Sequence, residues 1–173
     1  PAFGYGPSGG TAPEQQAVTG FLGKGLVNTY DPTGDGLTGT LTSAPFTLRH
    51  PFLHFLIGGG RHKGLTCVNL LVDGQVVHTA TGSATKNAQA RKIMHWVSWD
   101  LSRWQGREAR VEIVDQHTGG WGHINADSFT ANQTFGDAAG QDRLEQMSEE
   151  VAIAEPAVSV LRKGGMIRDR IGQ

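Results

Sequence analysis

Three glycine-rich segments of this 173-residue chain carry the polar and aromatic side chains that could bind a ligand. They cover residues 23–36, 58–64 and 115–127, and each follows a segment with the pattern of a β-strand. Together they supply carboxylates, imidazoles, a guanidinium group and an indole. Carboxylates and guanidinium groups form paired hydrogen bonds with hydroxyls, and an aromatic ring packs against the apolar face of a sugar. This set of side chains is typical of a carbohydrate-binding site.

Known catalytic motifs are absent from the sequence: it has no nucleophile elbow, phosphate-binding loop or zinc-protease motif. The glycines at 58–60 are followed by Arg61 rather than by a helix pattern, which indicates a turn or a ligand-binding loop. Asp115 and Asp127 are candidates for the carboxyl pair of a glycosidase only because they are close in sequence. An independent hydrolase therefore ranks last, and the sequence predicts a protein that is not an enzyme.

Composition excludes several classes of protein. The 15 Lys and Arg residues nearly cancel the 16 Asp and Glu residues, which argues against a main role in binding nucleic acid or an anionic membrane. No segment approaches the roughly 18 apolar residues of a membrane span. The single cysteine, Cys67, lies in an apolar strand pattern and is expected to be buried. The start at Pro1, without a signal peptide, predicts a fragment of a longer product.

The elements that must position these side chains are short strands. Asp73-Gly74 separates two apolar runs and predicts a hairpin with a type I′ turn. About eight strands with regularly spaced turns, and no long helical pattern before residue 136, predict an all-β fold, a jelly-roll β-sandwich. The predicted strands cover residues 38–43, 52–57, 67–72, 75–80, 95–100, 109–115 and 124–129.

A change in composition near Gly136 divides the chain into a β-sandwich at residues 1–136 and a charged tail at 137–173, which has no aromatic residue. The tail shows helical spacing over 142–154, a break at Pro156 and a strand pattern over 157–161. Since such elements bury little surface alone, we expect the tail to dock on the sandwich, on a neighbouring subunit or on another part of a larger parent protein.

The first domain resembles the fructan-binding modules of carbohydrate-binding module family 66. Such modules accompany family 32 glycoside hydrolases such as levanases and inulinases, and similar domains occur in large exported proteins of planctomycete-type bacteria. The resemblance rests on these segments: FLGKGLVNTY at 21–30, GTLTSAPFTL at 39–48, FLIGGG at 55–60, LVDGQVV at 71–77, WDLS at 99–102, IVD at 113–115 and WGHINAD at 121–127.

This resemblance implies a jelly-roll sandwich, an extracellular or periplasmic location and lectin-like recognition of terminal fructose units, as in levan, without catalysis. Two features depart from the family pattern: His78 stands where an arginine is expected, and the usual first strand is missing before Pro1. The residues expected to contact the ligand, all within matching loops, are Asp35, Arg61, His62, Asp115, Trp121 and His123.

Two further expectations concern partners and ions. The alternative to a polysaccharide-binding module of an exported protein is an assembly module, retained for packing in a multi-subunit or filamentous extracytoplasmic complex without sugar binding. No cofactor is predicted, although a calcium ion could be bound by Asp31, Asp35 and Asp127, because calcium prefers oxygen ligands.

Overall fold

The structure is a computed structural model that describes Phe3 and residues 6–30, 34–83 and 93–133, together with strand segments at 158–162 and 165–166. These residues form two antiparallel sheets that pack face to face, which confirms the predicted β-sandwich. No helix in this part of the chain is long and apolar enough to cross a membrane. The strands are β1 (Val27–Asn28), β2 (Gly39–Ser43), β3 (Phe46–Thr47), β4 (Phe52–Gly59), β5 (Thr66–Val72), β6 (Gln75–Ala80), β7 (His95–Asp100), β8 (Glu108–Asp115), β9 (Ile124–Asn132), β10 (Val158–Arg162) and β11 (Gly165–Met166).

The two sheets have different sizes. One sheet has four strands in the order β1-β9-β4-β7. The other has seven strands, six of them in the order β11-β10-β2-β8-β5-β6, with β3 paired to β8. A 3₁₀ turn over Ser102–Trp104 connects β7 to β8. Apart from the consecutive pairs β5–β6 and β10–β11, neighbouring strands are far apart in the sequence, so long-range pairing brings distant loops to the same end of the sandwich.

The predicted hairpin is present between β5 and β6. Asp73 and Gly74 have φ angles of +47° and +78°, the left-handed values that a type I′ turn requires at both central positions. The other strand patterns also correspond to observed strands, whereas β1, β3 and β11 were not predicted. Each of these has only two residues, which is too short to show an alternating pattern.

The main core lies between the sheets and is built on β4. The Phe55 ring packs against Trp99 at a centroid distance of 4.7 Å and stacks on Phe129 at 5.0 Å. Cys67 on β5 is fully buried, as predicted. Since β4 lies between β9 and β7 and is buried along most of its length, its sequence does not alternate and is apolar except for His54, whose ring is hydrogen-bonded to Ser98 and Asn132.

A second cluster covers the outer side of the four-stranded sheet. Leu56 points away from Phe55 and packs with Val18, Leu26 and Met94. The backbone amide of Leu22 donates a hydrogen bond to Oδ2 of Asp127, at 2.8 Å. The segment over residues 6–26 therefore shields a face of the sheet that would otherwise meet water.

The strand predicted in the tail is present as β10, which pairs antiparallel with β2 of the same chain. Val158 lies opposite Ser43 in this ladder, and Leu161 lies opposite Thr40. The helix predicted over residues 142–154 falls outside the described residues, and the domain division at residue 136 stays a prediction. At the level of the backbone, the tail thus extends the larger sheet by β10 and β11.

Candidate functional site

The three glycine-rich segments meet at one end of the sandwich. Asp115, the last residue of β8, lies opposite Gly39 of β2 on one side and Thr66 of β5 on the other. In the other sheet, Gly59 of β4 lies opposite Ile124 of β9. Consequently the loop before β2, the loop after β4 and the loop between β8 and β9 are adjacent in space. We call them the first, second and third site loops.

Asp35 connects the first site loop to the third. Its Oδ2 accepts the backbone N–H of Trp121 at 2.9 Å, and its Oδ1 accepts Nδ1–H of His123 at 2.5 Å. The His123 side chain is 3% exposed and that of Asp35 is 26% exposed, so this pair lies largely out of water. Because Nδ1 donates to a carboxylate, the tautomer of His123 is set by Asp35.

Trp121 is held in an uncommon backbone conformation. Its φ of +63° lies in the left-handed region, which a bulky residue seldom adopts. Its indole stacks on the ring of His123 with centroids 5.7 Å apart, and Tyr30 meets that imidazole edge-on at 5.2 Å. Half-buried aromatic rings of this kind can pack against the apolar face of a sugar.

A stacked pair of imidazoles joins the second site loop to the third. The rings of His62 and His117 are parallel within 5°, with centroids 3.7 Å apart. Nδ1 of His117 accepts the backbone N–H of Gly119 at 3.1 Å, which places the ring proton on Nε2. The backbone of His62 is held by a hydrogen bond that its amide donates to Oγ1 of Thr66, at 2.9 Å.

Gly60 marks a close approach of two backbones in the site. Its amide donates to the carbonyl of His123 at 2.7 Å, and its carbonyl accepts the amide of Gly82 at 2.8 Å. A Cβ atom at this position would meet the Trp121 carbonyl, Oγ1 of Thr66 at 2.8 Å and the His123 carbonyl at 2.9 Å. Glycine is therefore required here by the space available rather than by its φ.

Asp115 lies beneath these loops and is completely buried, at 0% exposure. Neither of its carboxylate oxygens forms a hydrogen bond of standard geometry, although the Thr29 hydroxyl and the His117 amide lie near the carboxyl and lower its pKa. Burial outweighs these effects and, with the adjacent charge of Asp35, raises the pKa of Asp115 to about 7. Asp115 is thus placed beneath the loops that carry the other predicted ligand residues.

The predicted ligand residues thus have different positions. Trp121 and His62 are half-buried on the site loops, and Arg61 is exposed on the second loop. Asp35, His123 and Asp115 belong to the support beneath them. The structure brings all three loops together, while a ligand role for each residue stays a prediction.

Two residues discussed from the sequence lie elsewhere. His78 stacks on Trp99 at 5.2 Å and meets Trp104 edge-on at 5.1 Å, near the opposite end of β4 from the site. Asp127 binds the Leu22 amide, whereas Asp35 binds Trp121 and His123. Asp31 is outside the described residues. Within the described ranges, no group of three His, Cys, Asp or Glu side chains could hold a metal ion.

Sequence reasoning missed the roles of His117, Tyr30 and Thr29 at this site. All three lie within the glycine-rich segments at 23–36 and 115–127 that were singled out from the sequence. Their closeness in sequence to the predicted ligand residues was the signal that could have identified them. The Thr29 hydroxyl accepts the Ile124 amide at 2.8 Å and thereby ties the first site loop to the start of β9.

Comparison with known proteins gives a sequence relative and structural neighbours. No family model matches the chain. The chain is 42% identical over 128 residues to a protein of Aspergillus rugulosus named "Putative glycosyl hydrolase ecdE"; the match covers 74% of this chain but only 17% of that protein. The C-terminal extracellular domain of Mycobacterium tuberculosis EmbC aligns with a TM-score of 0.44 and 13% identity, covering 74% of this chain and 50% of that one. A family 35 carbohydrate binding module from an environmental isolate aligns with a TM-score of 0.37 and 11% identity, covering 76% and 97% of the two chains.

These comparisons correct one prediction. The expectation that the protein is not an enzyme is contradicted by the Aspergillus relative, which is named as a glycosyl hydrolase. The error arose because the absence of catalytic motifs was read from a segment that spans 17% of that relative's length. The specific resemblance to carbohydrate-binding module family 66 stays a prediction.

Proposed function

We propose that this β-sandwich is the glycan-binding part of an exported glycoside hydrolase, and that its ligand is the terminal fructose of a fructan such as levan. The observation that carries the proposal is the convergence of the three site loops around Trp121. There, a half-buried indole, two stacked imidazoles and an exposed guanidinium group lie at one end of the sandwich.

The chemistry of these groups suits a neutral sugar. The indole of Trp121 offers a surface for the apolar face of the ring, and Nε2–H of His117 and the Arg61 guanidinium are hydrogen-bond donors for hydroxyls. Because Asp35 and His123 are hydrogen-bonded to each other, the residues beneath the Trp121 indole are held in place before any ligand binds. A preorganised site loses less conformational entropy on binding.

The identity of the relative supports the hydrolase context. A protein named as a glycosyl hydrolase shares 42% identity with this chain across the sandwich, so we infer that the sandwich works on the same class of substrate as its parent enzyme. The resemblance of this chain's motifs to those of fructan-binding modules supports fructans as that class of substrate.

Affinity electrophoresis of the chain in gels that contain levan, inulin, dextran or no polysaccharide tests this proposal. We expect retardation in levan and inulin and normal migration in dextran. Retardation in dextran alone would show glycan binding with a different specificity. Normal migration in every gel, followed by a glycan array without signal, would overturn the proposed function.

A further inference from the structure

The carboxyl group of Asp115 has an unusual place in the molecule. It is fully buried at the end of β8, inside the sandwich, and both oxygens lack hydrogen bonds of standard geometry. A buried charge without partners is costly, whereas an uncharged carboxylic acid is tolerated far better. The geometry alone therefore favours the protonated form of this group.

The groups that face Asp115 come from several elements. The Thr29 hydroxyl follows β1, the carboxylate of Asp35 precedes β2, and the backbone amide of His117 follows β8. His123, immediately before β9, is bound to that same Asp35 carboxylate, and His117 stacks on His62 of the second site loop. Among these neighbours Asp35 repels a charge on Asp115.

Ionisation of Asp115 would place a second, fully buried negative charge beside that of Asp35, in a region largely shielded from water. Two like charges in such surroundings repel each other strongly because the local dielectric constant is low. Asp115 is fixed on a central strand, between β2 and β5, whereas Asp35 lies on a loop and is partly exposed. The repulsion is therefore relieved most easily by movement of Asp35 towards solvent.

Such a movement would release the third site loop, because the same carboxylate holds the Trp121 amide and Nδ1 of His123. We propose that Asp115 is a positioning residue of this site: its uncharged form lets Asp35 hold Trp121 and His123, and its ionisation loosens that hold. Only the effect of this switch on glycan binding rests on the proposed function. Consistently, the pKa of Asp115 is raised to about 7 by burial, so the two forms interchange near neutral pH.

Two backbone amides make the proposal measurable by NMR in the ligand-free protein. The His117 amide contacts the Asp115 carboxyl, so its chemical shift reports the titration of that group. The chemical shift of the Trp121 amide reports its hydrogen bond to Asp35. In a titration from about pH 5 to about pH 9, we expect both resonances to move with one midpoint. In Asp115→Asn, which is uncharged at every pH, the Trp121 amide should keep its low-pH position throughout.

Two further variants separate this account from others. Asp127→Asn removes another carboxyl whose pKa is raised by burial; it is half-buried on β9, bound to the Leu22 amide and away from Trp121, so this substitution should leave the Trp121 transition unchanged. Asp35→Asn removes the repelling charge, so the midpoint of the His117 chemical-shift change should move to lower pH. The chemical shift of the Trp121 amide should then no longer depend on the titration of Asp115. This second variant keeps the test decisive if Asp115→Asn does not fold.

Histidine protonation is the rival explanation, and it predicts a Trp121 transition that persists in Asp115→Asn. That result, or a Trp121 amide that does not follow His117 in the unmodified protein, would overturn the proposal. If a glycan binds, its Kd should rise about tenfold across the transition, the loss expected for one released hot-spot contact, and should stay constant in Asp115→Asn. A coupled transition without any glycan binding would leave the positioning role intact and refute only the proposed function.

Discussion

The carboxylate of Asp35 and the backbone amide of Trp121, 86 residues apart in the chain, are joined by a hydrogen bond of 2.9 Å. This bond holds Trp121 at a φ of +63°, where the free chain seldom places a bulky residue. The conformation of the indole is therefore set by a loop from a distant part of the sequence. Because Asp35 also binds His123, one side chain organises both rings of the site.

Replacement of Asp35 by asparagine should loosen this arrangement. An uncharged amide oxygen cannot accept from both the Trp121 amide and His123 as a carboxylate does, so we expect a loss of about 1–3 kcal/mol in the free energy of unfolding. Urea denaturation measures this loss. The control is Asp73→Asn, which breaks an exposed ion pair with Arg107 in a turn that tolerates asparagine and should cost less than about 1 kcal/mol. Equal effects of the two substitutions would refute the central place of Asp35.

A methyl group at Gly60 should displace the third site loop. Its carbon would contact the carbonyls of Trp121 and His123, so Gly60→Ala is expected to destabilise the domain by about 1–3 kcal/mol. Gly120→Ala is the matched control, since a Cβ atom there meets nothing within 4 Å. Thermal unfolding of both variants checks the expectation, and a normal Tm for Gly60→Ala would show that the two backbones do not approach as described.

The raised pKa of Asp115 predicts how stability depends on pH. The folded protein keeps a proton that the unfolded chain releases between pH 3.8, the ordinary pKa of aspartate, and about 7. The contribution of this group to stability is therefore fully present below the lower value and is lost as pH rises through about 7. Each unit of pKa difference corresponds to about 1.4 kcal/mol, so the effect amounts to a few kcal/mol.

The substitution Asp115→Asn should remove this part of the pH dependence. Unfolding free energies of the variant and the unmodified protein, measured at about pH 5 and about pH 9, give the comparison. We expect the unmodified protein to lose more stability than the variant between these values. Parallel behaviour of the two proteins would mean that Asp115 is ionised already at low pH.

The sheets could largely be predicted from the sequence because their signals are local. Asp73-Gly74 requires left-handed φ angles at both positions and is found with them, and the apolar run that becomes β4 is as buried as its composition indicates. The two-residue strands β1, β3 and β11 carry no periodic signal, so they were missed. The segment that covers Leu56 was missed as well, because the residues that pack on Leu56 (Val18, Leu26 and Met94) are scattered along the sequence.

The site could be predicted only in part, for a similar reason. The three loops were recognised by their polar and aromatic residues, but the sequence does not say which side chains bind each other. The bonds that Asp35 forms with Trp121 and His123, for example, were not foreseen, and its ligand role stays a prediction. The burial of Asp115 depends on strand pairing between β8, β2 and β5, which is not visible in the residues around it.

The measurement that tests the central claim most directly is the affinity of the chain for levan oligosaccharides before and after removal of the Trp121 ring. Isothermal titration calorimetry on Trp121→Ala should show a Kd at least about tenfold higher, since loss of a stacking aromatic costs about 1–3 kcal/mol. Trp104→Ala, at another half-buried indole away from the site loops, should keep the original Kd, with circular dichroism showing that both variants are folded. An unchanged Kd in folded Trp121→Ala, together with a loss of binding in Trp104→Ala, would contradict the assignment of glycan binding to the site loops.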